Sequence, residues 1–208
     1  WDLEADWFEP PNRRRGGCSG VSLIELDGPG GERLCLFLKR QEDHVYRTWR
    51  HPLRGVPTFR RELASILTYR RAGIPALEPV CFGERKVGGR QRAVLVTEEL
   101  AGFRSLADLS ASWASGERPD LAARRRLLDS IAALVASMHA RQLQHNCLYP
   151  KPLFVRSRGS GWEGRVSDLE KTKRVWRRWP ARVRELGHEP VMLRPIDGAL
   201  MQGMETDF

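Results

Sequence analysis

Short apolar runs broken by glycine and proline fill the first half of the chain. Val21 to Leu26 and Leu34 to Lys39 are strand-like, and Gly28-Pro29-Gly30-Gly31 between them is turn chemistry, so the two runs predict a hairpin. Before it, residues 9–20 (Glu-Pro-Pro-Asn-Arg-Arg-Arg-Gly-Gly-Cys-Ser-Gly) read as a basic, Gly-rich loop. Residues 41–56 show no clean period. Thr58 offers an N-cap, Glu62 follows, and Phe59, Leu63, Ile66, Leu67 and Tyr69 recur at near-helical spacing until Ala72-Gly73-Ile74-Pro75. Pro79 to Gly83 and Ala93 to Val96 predict two further strands around Gly88-Gly89. After the connector Thr97–Gly102 the pattern turns helical, over Ser105 to Trp113 and Leu121 to Arg141. Leu127, Ile131, Leu134, Val135 and Met138 share one face of the second helix, which marks it as a core helix. A loop from His145 to Pro152 leads to two short strands, Leu153 to Arg156 and Gly164 to Asp168. The expected class is α+β: a sheet of about four strands with one inserted helix, then a mostly helical half.

The chain has 208 residues, which suits one domain or two closely joined lobes. Its longest unbroken apolar run, Ile131 to Ala136, falls far short of the roughly 20 residues that cross a bilayer. Trp1-Asp2-Leu3-Glu4 contains no apolar signal core, and the expected location is cytoplasmic. Cys18, Cys35, Cys81 and Cys147 form no CxxC pair and have no histidine at a zinc-ligand offset; scattered single cysteines suit a reducing compartment.

Charge changes the picture. The formal net charge is +9, and only Lys39, Lys86, Lys151, Lys171 and Lys173 among the 35 basic residues are lysines. Arginine forks grip phosphate bidentately, although a GC-rich genome also enriches arginine. Residues 171–184 carry Lys171, Lys173, Arg174, Arg177, Arg178, Arg182 and Arg184 without one acid. Three readings of this run stand: a solvated face, a platform for an anionic glycolipid or membrane with Trp176 and Trp179 at the interface, or a nucleic-acid surface. The last is the least favoured.

A Gly-rich hairpin, a strand ending in lysine, a helix with glutamate, a connector, a long helix, a His loop and a strand ending in Asp follow the order of parts in the protein-kinase template. The quoted segments are Arg13-Arg14-Arg15-Gly16-Gly17, Leu38-Lys39-Arg40-Gln41, Val96-Thr97-Glu98, His145-Asn146-Cys147-Leu148-Tyr149-Pro150-Lys151 and Asp168-Leu169-Glu170-Lys171. Over residues 9–180 they resemble the InaA branch of the lipopolysaccharide kinase (Kdo/WaaP) family of Gram-negative bacteria.

The resemblance implies a bilobal kinase-like fold. Its N-lobe spans 1–96, a hinge 97–104, and a shortened C-lobe 105–208. It also implies transfer of the γ-phosphate of ATP, with Mg²⁺, to a sugar hydroxyl of lipopolysaccharide core or a related envelope glycolipid. Gly16, Gly17 and Gly20 would let backbone N–H groups approach phosphates. Lys39 would pair with Glu62 and reach the α/β-phosphates, and Glu98 falls at the nucleotide-binding hinge. Asp168 would hold the metal, since Mg²⁺ takes one or two carboxylates plus phosphate. His145 would brace the catalytic loop, and Lys151 could neutralise phosphoryl charge or be merely solvated. His139 reads as structural.

The loop departs from H-R-D-x-x-x-x-N at two places: Cys147 stands at the base position and Pro152 at the second metal position. A kinase-like pseudoenzyme that binds nucleotide or a partner is therefore the alternative to an enzyme. Nothing in residues 187–208 matches the family pattern.

Overall fold

The computed structural model describes residues 1, 3–14, 16–49, 51–116 and 118–175. Arg15, Trp176, Arg177, Arg178, Trp179, Arg182, Arg184 and the 187–208 tail, all named above, lie outside the described residues.

Strands β1 (Trp7–Arg14), β2 (Gly17–Asp27) and β3 (Arg33–Glu42) run antiparallel in sequence. Then β4 (Val45–Thr48) and β5 (His51–Pro57) form a separate hairpin, helix α1 (Thr58–Arg71) follows, and β6 (Pro79–Val87) and β7 (Arg90–Glu98) complete the main sheet in the order β1-β2-β3-β7-β6. Gly88 and Gly89, with φ of +56° and +83°, make the two-residue turn that matches strand twist.

Residues 9–20 are a β-hairpin, not a loop, and residues 41–56 are largely strand. Pro10 and Pro11 weaken a strand prediction, but β1 is the sheet edge, where missing N–H donors are tolerated, and its register shifts around them. The sheet therefore has five strands rather than about four. Thr58 is also not the N-cap of α1. That place is taken by Pro57, and the cap comes from β3: Gln41 Oε1 accepts from the Phe59 N–H at 3.0 Å and from the Thr58 hydroxyl at 2.9 Å.

β7 runs through Glu98, leaving 99–103 as the connector before β8 (Arg104–Ser105). Helix α2 (Leu106–Ala114) is capped by Ser105, whose Oγ accepts from the Asp108 N–H, and α3 (Leu121–Ala140) by Asp120, which accepts from Ala123. After α3 come β9 (Leu143–Gln144), β10 (Leu153–Arg158), β11 (Gly161–Val166), a 3₁₀ turn at Leu169–Lys171, and β12 (Lys173–Arg174) paired with β9. The core face expected of α3 is present: Leu127, Ile131, Leu134 and Met138 are buried and Val135 is partly so. His139 is buried in its last turn. One cluster joins both halves, from Ile66, Tyr69 and Leu95 to Leu127, Leu153, Val166 and Leu169. The Val166 N–H donates to the Pro75 carbonyl at 3.2 Å, and Ala76 bridges to Val166 in parallel. Among the described residues no helix is long and apolar enough to cross a membrane.

At the far end of the sheet, Glu42 accepts from Arg90 Nη1 and Arg92 Nε, each at 2.6 Å. These bonds hold its carboxyl below the usual value of 4.5. A depressed carboxyl stabilises the fold above its unfolded pKa, and that stabilisation is lost as pH falls through the folded value. Glu42→Gln should therefore lower the Tm at neutral pH, with the gap to wild type closing below about pH 4.5. A gap that stays constant into strong acid would show that the arginines do not act through charge.

Candidate active site

Lys39 lies on β3 between Val21 of β2 and Leu95 of β7. Directly paired residues share a sheet face, as do residues two apart, so Lys39, Phe37, Leu95 and Thr97 point the same way, toward α1. There Lys39 Nζ meets Glu62 Oε1 at 2.5 Å, and the Glu62 side chain is only 4% exposed. A carboxylate buried to that degree needs its cation, and removing one partner strands the other.

His145 is fully buried and connects the two loops of the second half. Its Nδ1 accepts the Cys147 N–H at 3.3 Å, so the ring proton sits on Nε2, which donates to the Ser167 carbonyl at 2.9 Å. Ser167 N–H donates in turn to the Pro152 carbonyl at 2.9 Å. This network fixes the residue before Asp168. Asp168 itself adopts left-handed backbone angles, φ 54° and ψ 48°. Such a conformation is uncommon outside glycine and stores local strain. Its carboxylate is exposed.

The 3₁₀ turn packs against α1 and carries Glu170 and Lys171, neither of them assigned a catalytic role from sequence. Glu170 has a raised pKa, from burial first and then from the Asp168 and Glu62 carboxylates; Lys171 and His44 oppose that rise. Burial pulls Lys171 down, but the neighbouring Cys147 thiol, to which its ammonium hydrogen-bonds, together with Asp168 and Glu170, raises its pKa overall. The cation beside Cys147 is thus Lys171. Lys151, in the His145 loop, is 82% exposed in its side chain and faces Glu9 of β1 at 3.7 Å. Asn146 holds the turn from behind, donating to the Lys171 carbonyl at 2.7 Å.

A cleft of about 620 Å³ opens between the β1–β2 hairpin and these loops. Ser19, Gly20 and Val21 of β2 line it, as do Lys151, Glu170 and Lys171 of the opposite loops, with Arg61 and Tyr46. Arg61 also lies over the Tyr46 ring and donates to the Thr172 carbonyl at 3.5 Å. The glycines have distinct local reasons. A Cβ at Gly17 would come within 2.5 Å of the Asp43 backbone, and one at Gly20 within 2.6 Å of the Trp7 ring. Gly16, at the tip with φ +81°, has open space. Glu98 is exposed at the end of β7, with its N–H bonded to the Glu78 carbonyl, away from the cleft lining. Arg174 is exposed on β12. Next to Glu98, the buried Thr97 hydroxyl has no hydrogen-bond partner.

Among the described residues no three His, Cys, Asp or Glu side chains are grouped to hold a metal alone. Asp168 with Glu170 nearby fits instead an ion that takes most of its oxygens from phosphate and water, which is the habit of Mg²⁺.

The sequence profile of the Lipopolysaccharide kinase (Kdo/WaaP) family matches residues 1–188. The chain belongs to this family. It is 38% identical to Protein InaA of Escherichia coli (strain K12) over 96% of this chain and 88% of that protein. It is 32% identical to the lipopolysaccharide core heptose(I) kinase WaaP of Escherichia coli over 57% of this chain, and spans about half (48%) of that kinase's length. A solved structure of WaaP in complex with acyl carrier protein superposes with a TM-score of 0.62 at 23% identity, covering 90% of this chain and 71% of that one. The fold is thus kinase-like, as the resemblance implied, with an antiparallel N-terminal sheet.

The His145 network yields a stability test. His145→Ala would leave the Cys147 N–H and the Ser167 carbonyl without partners, a cost of about 2–5 kcal/mol. Urea unfolding should show that loss; a change below about 0.5 kcal/mol would mean the loops are held by other contacts.

Proposed function

We propose that the chain binds ATP with Mg²⁺ between the sheet face bearing Lys39 and the 3₁₀ turn bearing Asp168. From there it transfers the γ-phosphoryl group to a sugar hydroxyl of lipopolysaccharide core or a related envelope glycolipid. The observation that carries this reading is the buried Lys39–Glu62 pair facing the Asp168 turn in one continuous cluster of charge. Lys39 would neutralise α/β-phosphate oxygens, with Glu62 keeping its ammonium in place. Asp168 would hold the metal ion, whose positive charge would offset the negative charge of the phosphates. Thr97, with its unmatched buried hydroxyl, and Phe37, in edge contact with Phe8 at 5.2 Å, lie on the Lys39 face and fit a polar, planar base. Gly16, Gly17, Gly20 and Glu98 are assigned to nucleotide contact on the family resemblance. Lys171 and Arg61, more than Lys151, would meet negative charge in the cleft.

This reading puts the N-lobe at 1–96, the hinge at 97–104 and the C-lobe beyond. It places the protein in the cytoplasm, peripheral on the inner membrane. Arg174, with Arg177 and Arg178, would face the anionic acceptor or lipid. Nucleic-acid binding is the reading least supported. A second reading keeps nucleotide binding without turnover. Cys147 and Pro152 favour it, because neither supplies a carboxylate base or a metal ligand.

ATP titration with and without Mg²⁺, then transfer to purified core lipopolysaccharide, tests the assignment. Lys39→Ala should weaken ATP binding by about tenfold to a hundredfold in folded protein, and Asp168→Asn should remove the Mg²⁺ dependence. Unchanged affinity in a folded Lys39→Ala protein would sink the site. Cys147→Asp places a carboxylate beside Lys171 and should raise transfer, toward the roughly 10²–10⁴-fold that general bases supply where geometry is right. ATP binding by every variant with transfer by none makes the protein a pseudoenzyme. Exchanging Arg174, Arg177 and Arg178 for serine should weaken lipopolysaccharide binding at low salt and leave ATP binding unchanged.

A further inference from the structure

Residues 44–57 contain Arg47, Arg50 and Arg54 and no acid. The β4–β5 hairpin makes up most of this stretch and is anchored at its base. Val56 is buried, and the Thr58 N–H donates to the His44 carbonyl at 3.2 Å. Gly55, with φ +66°, lies so close to Tyr46 that a Cβ would come within 2.9 Å of its carbonyl oxygen. The register jumps from Tyr46↔Val56 to Thr48↔His51, so residues 52–55 of β5 are extra relative to β4 and form a bulge. Trp49, at the turn, is 84% exposed and Leu53, in the bulge, is 89% exposed. They are the most exposed large hydrophobic side chains among the described residues. Arg47 beside them is exposed too.

Folding normally leaves single apolar side chains half covered. Here an indole and a leucine project from one narrow tip in an acid-free, arginine-bearing segment. Indole suits the boundary between headgroups and acyl chains, leucine the acyl region, and arginine the lipid phosphate. We propose that the β4–β5 hairpin tip is a membrane anchor, inserting Trp49 and Leu53 into the headgroup boundary of an anionic bilayer. The apolar tip favours a lipid surface over a soluble polyanion, and the arginines select an anionic surface over a neutral one. Position agrees: Val45 and Tyr46, at the hairpin base, line the same cleft as Lys151 and Lys171, so a docked tip holds the cleft mouth near the lipid. This site is separate from residues 171–184 and does not depend on kinase activity.

The full chain is sedimented with vesicles of phosphatidylglycerol and phosphatidylethanolamine, and with neutral phosphatidylcholine vesicles. Binding to the anionic vesicles alone, falling with salt, is expected. The double variant Trp49→Ala, Leu53→Ser should bind about tenfold more weakly or worse, with unchanged melting and ATP affinity. Trp49→Phe should remove a fraction of the indole fluorescence that brominated lipid quenches, whereas the Arg174, Arg177, Arg178 variant should keep it. Wild-type binding by the double variant, or quenching that does not involve Trp49, overturns the proposal. So does hairpin-dependent binding of a small acidic protein by a chain that ignores anionic vesicles; that result would make the tip a protein-docking element.

Discussion

Glu62 has almost no access to water, and Lys39 meets it from the neighbouring sheet. A charge buried there without its partner costs several kcal/mol, so the pair forms only when sheet and helix are both in place. The pair therefore ties β3 to α1, and α1 carries the tie onward. Gln41, two residues along from Lys39, caps the start of α1, while the 3₁₀ turn after Asp168 packs on the same helix. Sheet, helix and the turn after Asp168 are thus registered against one another through a single element. His145 does the equivalent work on the other side, holding the Cys147 loop and Ser167 with its two ring nitrogens.

Much of this frame was legible in sequence because it rests on local chemistry. The apolar stripe of α3, the glycine turns and the Ser105 boundary all follow from spacing and residue type. The strand status of residues 7–14 was not legible. Prolines in the strand read as loop, and only the edge position of β1 excuses them. Residues 45–57 were missed for a related reason: the hairpin bulges at 52–55 and buries only its base, so no period of two survives. The cap of α1 could not be read at all, since Gln41 lies 17 residues from Thr58.

The candidate site divides in the same way. Lys39, Glu62, His145 and Asp168 stood out by their order along the chain, and the fold gathers them. Glu170, Lys171 and Arg61 did not, because each sits among other charges in sequence and gains meaning only through its neighbours in space. Lys151, inside the loop, points to Glu9. A lone lysine in a sequence motif says little about where its four-carbon stem will reach.

The shared core also limits how the cleft can open. Separating the halves as rigid bodies would expose a cluster that includes Tyr69, Leu127 and Leu153, each buried to within 1% of full coverage. Each large side chain so exposed costs about 1.5–3 kcal/mol. The β1–β2 hairpin faces the opposite loop through the exposed Glu9–Lys151 pair, a contact of the kind worth about 0–1 kcal/mol. Breathing in this molecule thus belongs to the hairpin: the roof lifts while the walls stay joined.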